Sequence, residues 1–128
     1  MSAAADALMG IFGFKRVEGE SMKSDRELLE LAARAAGLQI GHWVSFFGGE
    51  YAVTQDYSEI NAWNPLECDG DALRLAVKLE LFIQVYSDEV VVDAWLITPI
   101  KEDYELGTDA ATRRAIVRAA AAIGEAMK

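Results

Sequence analysis

The chain has 128 residues, of which 52% are hydrophobic and 26% charged, and its formal net charge is −9. That length accommodates one domain around one core, and the composition is that of a folded chain, which excludes disorder. Residues 50–109 hold 14 acidic and 3 basic residues against 7 and 9 in the two flanks, and an acidic middle repels phosphate, which argues against direct nucleic-acid binding.

Residues 1–21 read as an extension or arm, distinct from a domain spanning 22–128. Gly10, Gly13 and Gly19 interrupt an apolar cluster of Leu8, Met9, Ile11, Phe12 and Phe14, and Lys15-Arg16 follows. Met22 stands where a natural start would, so the segment is a leader, a stretch added to the natural sequence or the result of an upstream start, or else an arm whose Ile11, Phe12 and Phe14 anchor on another subunit. It has neither the basic start nor the apolar stretch of a signal peptide.

The first helix is expected over residues 25–36. Ser24 and Glu27 form a Ser-x-x-Glu capping box, and Gly37 supplies a left-handed stop. Leu28, Leu31, Ala32 and Ala35 share its apolar face. Residues 43–47 and 50–54 flank Gly48-Gly49 as a hairpin, and a short strand is expected near Ile60. A second helix starts at Gly70 or Asp71, with Asp69 as its cap, and ends near Leu79. It is apolar on most of its circumference, with Leu73, Ala76 and Val77 on one side and Ala72, Leu75 and Leu79 on another, so burial on more than one side is expected. Residues 81–86 and 90–97 form a second hairpin around Ser87-Asp88-Glu89, its second strand opening on the β-branched Val90-Val91-Val92. Residues 99–107 read as an acidic loop. A third helix starts after Thr108 or Asp109 and reaches about Met127, with Ile116, Ala120, Ile123 and Met127 inward. Arg114 and Arg118 face away, and Arg113 lies at the border, within reach of an acidic neighbour. The fold class is α+β, a single layered domain in which a mainly antiparallel sheet from two hairpins packs against three helices.

Few residues suggest chemistry. His42 is the sole histidine, so multi-histidine metal cages are excluded, and Ser45 three residues on along a strand faces the other side. Cys68 excludes an intrachain disulfide and multi-cysteine metal sites, and it suits a reducing cytoplasm. Glu67, Asp69 and Asp71 form a carboxylate cluster without the calcium-loop signature, and acids at a helix start are explained by capping and the macrodipole. Gly10-x-x-Gly13 lacks the strand and Lys-Ser/Thr of a phosphate cradle. No apolar run reaches bilayer length. No catalytic residue, metal ligand or cofactor is assigned.

Four segments carry a resemblance. They are residues 25–37, the block Trp63-Asn64-Pro65-Leu66 with Asp69-Gly70-Asp71-Ala72-Leu73-Arg74-Leu75-Ala76-Val77-Lys78-Leu79, the second hairpin, and residues 111–121. In order and spacing they resemble, from Met22 onward, the phage and prophage alpha-beta-alpha (ABA) sandwich domain family of unknown function. The resemblance implies a sheet with helices packed on it and a phage or prophage context. It supplies no catalytic residues.

The expected function is therefore that of a small accessory protein, not an enzyme, which binds a phage or host protein in the bacterial cytoplasm. Nucleic acid and membrane are not expected as direct partners. Two alternatives stand beside it: an acidic, DNA-mimic-like anti-defence inhibitor of a host immune complex, and a virion component or homo-oligomer held through the arm. The surfaces expected to meet the partner are Ile11, Phe12 and Phe14, the aromatic Trp63, and the acids Asp69, Asp71, Asp88, Glu89, Glu102, Asp103 and Glu105.

Overall fold

The computed structural model describes residues 23–46, 49–55, 62–95 and 97–127. The expectations for Ile11, Phe12, Phe14, Gly48 and the strand near Ile60 lie outside these residues.

Helix α1 spans Asp25–Ala36 and is closed at both ends by local chemistry. The Ser24 hydroxyl accepts from the Glu27 amide at 3.1 Å, and the Ser24 amide donates to Glu27 Oε1 at 2.9 Å. Gly37 ends the helix at φ +76°, a conformation that needs no strain without a Cβ. The buried face is Leu28, Leu29, Ala32, Ala33 and Ala36, while Leu31 and Ala35 are half-buried, so the helix is rotated by about one position from the expected stripe.

Strands β1 (Ile40–Phe46) and β2 (Gly49–Thr54) pair antiparallel, with a register irregularity between Ile40 and His42. Ala52 of β2 also bridges to Trp63, each donating to the other's carbonyl at 2.8 Å. Helix α2 spans Asp69–Lys78. It ends with Glu80 at φ +55°, where the Leu81 amide reaches the Ala76 carbonyl at 3.0 Å. Strands β3 (Phe82–Val85) and β4 (Glu89–Asp93) form the second hairpin, which β5 (Ile100–Asp103) extends on the β4 side. Helix α3 (Thr108–Ala126) packs against α1, α2, β4 and β5. The class is α+β, as expected. Among the described residues no helix is long and apolar enough to cross a membrane.

Four expectations are corrected. Among the described residues the hairpins form two sheets, of two and three strands: the β2 edge is met by Trp63, and β3 pairs with β4 alone. The acidic stretch after Pro99 contains β5. Ile100 fills a buried position opposite Val92, Lys101 and Asp103 face solvent, and Glu102 turns inward to an arginine of α3. Helix α2 is buried on one side only: Ala72, Leu75 and Ala76 are covered, while Leu73 is 61% and Val77 69% exposed. Of the three described helices the most enclosed is α3, with Ala111, Ala115, Ile116, Val117, Ala119, Ala120, Ala121 and Gly124 buried. Its expected stripe fails at the far end, where Ile123 is half-buried and Met127 exposed.

Small side chains bring α1 and α3 together. Ala32, Ala33 and Ala36 are buried on α1, and a methyl group at Gly124 would run into the backbone carbonyl oxygen of Leu31. A Gly124→Ala substitution must push two helix backbones apart, and overpacking of this kind costs roughly 1–3 kcal/mol. At Gly70 the nearest atom is the Arg74 guanidinium at 3.3 Å, a flexible end that can move aside. Thermal melts should therefore show Gly124→Ala strongly destabilised and Gly70→Ala unchanged or stabilised, since alanine is the better helix former.

The Ser24 backbone hydrogen bond holds the Glu27 carboxyl below its ordinary value. A depressed folded-state pKa contributes stability above the unfolded pKa and loses it as pH falls through the folded one. In an acid series of melts, the advantage of the wild type over Glu27→Ala should be largest near neutrality and should shrink as Glu27 protonates.

Candidate functional site

The turn before α2 is built on Asn64. Its amide donates to Asp71 Oδ2 at 2.9 Å, its side-chain Nδ2 donates to the Glu50 carbonyl at 2.6 Å, and its Oδ1 accepts from the Leu66 amide at 2.8 Å. Its own carbonyl accepts from the amides of Glu67 and Cys68. Pro65 is fully buried beside it and brings no backbone donor of its own to satisfy. One residue thus ties β2, the turn and α2 together. From the other side, Arg113 of α3 donates to the Leu66 carbonyl at 2.8 Å and to Asp69 at 2.6 Å, so the border position expected for Arg113 is matched by an acidic neighbour.

This geometry reassigns three of the sequence candidates. Trp63 is only 2% exposed. It is a core residue fixed by the Ala52 bridge and offers no aromatic face to a partner or a stacked ligand. Asp71 is buried, bound to the Asn64 amide and to Arg74 at 2.7 Å, so it too is removed from the surface. Asp69 is exposed but does not cap α2: the N-cap position is Cys68, which makes no side-chain capping bond. Asp69 turns outward to Arg113 and Asp71 inward, so the two carboxylates do not converge. Among the described residues no group of three or more His, Cys, Asp and Glu side chains is placed to hold a metal ion.

The remaining acids gather at one end of the three-stranded sheet. Glu89 on β4 lies directly opposite Asp103 on β5, with Asp88 in the preceding turn and Glu105 beyond. The Tyr104 hydroxyl lies 2.7 Å from the Tyr86 carbonyl and 2.8 Å from the Glu89 carbonyl, which holds the β3–β4 turn against the end of β5. The Asp103 carboxylate accepts from the Glu105 amide at 3.0 Å. Among the described residues no Lys or Arg forms an ion pair with Asp88, Glu89, Asp103 or Glu105. Glu102 differs, because Arg118 donates to it at 2.6 Å between α3 and β5.

Asp103 and Glu105 line a cleft of about 410 Å³ together with Glu67, Glu102, Arg113 and Arg114. Both arginines in it are already engaged, Arg113 with Asp69 and Arg114 with Asp25 at 2.8 Å. On β2, burial pushes the Tyr51 phenol above its ordinary value, with the Glu67 carboxylate adding in the same direction.

A second surface was not legible from residue pattern. Leu73 and Val77 are one helical turn apart on the open side of α2, and Phe82 and Trp95 are 72% and 94% exposed. The signal available in the sequence was only that α2 is more apolar than one buried face requires. No family model, no curated protein and no solved structure matches this chain.

Asp71→Ala strands the buried Asn64 amide, and an unsatisfied buried donor costs about 1–3 kcal/mol. Asp69→Ala removes an exposed ion pair worth at most about 1 kcal/mol. Urea denaturation should separate the two variants in that order.

Proposed function

We propose that this chain is a small phage- or prophage-encoded accessory protein that acts by binding another protein and carries out no reaction. The contact is made by the acidic end built from Asp88, Glu89, Asp103 and Glu105, and the partner presents a basic surface. One observation carries this reading: Glu89 and Asp103 face each other across β4 and β5 without a neutralising cation among the described residues. Like charges directly opposite on a sheet oppose folding. A basic partner relieves that repulsion on binding, and complementary charge favours both encounter and partner choice.

Support also comes from where the other ionisable groups are engaged. Asp25, Glu50, Asp69, Asp71 and Glu102 are held by arginines in internal ion pairs, and these fix architecture. The phage context rests on the resemblance of residues 25–37, 63–79, the second hairpin and residues 111–121 to the sandwich family. A narrower form, an acidic mimic that occupies the nucleic-acid groove of a host immune complex, is favoured by the same unneutralised carboxylates.

Affinity capture from infected or lysogenic bacteria across a salt gradient tests the reading. A basic protein should be retained at low salt and released as salt rises, because exposed charge pairs are screened. The Glu89→Lys/Asp103→Lys variant should fail to retain it while melting no lower than wild type. Retention unaffected by both salt and charge reversal would show that the acidic end is not the contact.

A further inference from the structure

Strand β3 is an edge of the three-stranded sheet, whose order is β3-β4-β5. The turn sets which of its backbone groups are used. The Tyr86 amide donates to the Glu89 carbonyl at 2.8 Å, so Gln84 and Phe82, at alternate positions along the strand, also face β4. The amides and carbonyls of Ile83 and Val85 therefore point away from the sheet, and among the described residues nothing bonds them. Natural edges are blunted by charge, proline or a bulge. The opposite edge strand, β5, carries Lys101, Glu102 and Asp103, whereas Phe82-Ile83-Gln84-Val85 holds no charge and pairs with β4 in unbroken register.

This edge is complementary to itself. Antiparallel pairing of two copies about a two-fold axis at Gln84 sets Ile83 of each against Val85 of the other, so the free amides and carbonyls of one copy meet those of the second. On the outer face Gln84 then lies opposite its own counterpart, and Phe82 lies opposite Tyr86, an amide pair flanked by aromatic pairs. On the inner face Leu73 and Val77 stand open beside the strand, with Leu73 sharing a recess with Ile83. Val85 is 67% and Tyr86 49% exposed. Together with Leu73, Val77 and Phe82 they present an apolar area on the order of 600 Å², at the upper end of what a monomer leaves bare and, with the strand backbone added, close to the ~800 Å² per partner of a standard interface.

We infer that two copies of this chain pair through β3, edge to edge and antiparallel, which joins their three-stranded sheets into one continuous sheet. The contact is apolar and does not use the carboxylates of the acidic end.

Sedimentation equilibrium of the full chain across protein concentrations tests this. The mass should rise from 14.0 kDa to twice that value, and the association should hold as salt rises, unlike a contact between exposed charges. Val85→Lys places a charge on the edge, and Val85→Pro removes an amide that β4 does not use. Each should raise the dissociation constant several-fold while circular dichroism shows the fold retained. In a Cys68→Ser background, Gln84→Cys should cross-link two copies on mild oxidation, because directly opposed residues lie within disulfide reach, whereas Phe82→Cys should not. A chain that stays at 14.0 kDa at every concentration overturns the inference. So does a dimer that neither Val85 variant weakens, or one that Phe82→Cys cross-links as readily as Gln84→Cys. A chain that is monomeric alone but takes up a strand of another protein at β3 overturns it in favour of that protein. The Glu89→Lys/Asp103→Lys variant should still dimerise, so failure of the acidic-end reading and failure of this one are told apart.

Discussion

A buried carboxylate governs how the halves of this protein meet. Asp71 accepts from the Asn64 amide and from Arg74, and Asn64 in turn engages Glu50 and Leu66. Through these bonds the two-stranded sheet, the Pro65 turn and α2 become one body. Trp63 can then be packed in the interior because its backbone is satisfied by Ala52. Arg113 joins α3 to the same turn. Buried polar groups are tolerated only when partnered, and the partners here are spread over β2, the Pro65 turn, α2 and α3. The most distinctive stretch of the chain is therefore committed to architecture.

Charge follows the same logic. The acidic middle and the more basic flanks are complementary halves of the fold. Arg26 reaches Glu50, Arg113 reaches Asp69 and Arg118 reaches Glu102, each a flank cation on a middle-segment acid. Arg26 also lies over the Trp43 ring at 4.7 Å, so its guanidinium binds both an anion and an aromatic face. Once these pairs form, the excess negative charge among the described residues is confined to fewer places, and at the β4–β5 end two acids, Glu89 and Asp103, face each other directly. Internal neutralisation is what turns a diffuse compositional bias into a localised surface.

Packing between α1 and α3 has a related consequence. Their contact is made by alanines and by Gly124, so the backbones approach closely and little apolar volume is needed between them. The three-stranded sheet covers another side of α3 with Val90, Val92 and Ile100. Larger apolar residues beyond these contacts, Leu73, Val77, Phe82 and Trp95, are left outside. The core and the exposed apolar surface thus arise from one arrangement: close helices in the middle, with α2 and β3 at an uncovered margin.

Features set by neighbours a few residues away were legible in the sequence. The Ser24–Glu27 box, the Gly37 stop, both hairpins and the extent of α3 depend on local hydrogen bonds, backbone conformation and side-chain periodicity, all of which act within a turn or a strand pair. The tertiary structure alone decided that Ile100 starts a strand within an acidic stretch and that one side of α2 stays bare. It also decided that Asp69 serves Arg113 instead of its own helix, and that position 124 admits no Cβ. Each of these is settled by a group distant along the chain: 44 residues separate Arg113 from Asp69, and 89 separate Arg114 from Asp25. Charge and hydrophobicity say that a residue needs a partner, but only the folded path of the backbone brings that partner within the few ångströms over which contact forces act.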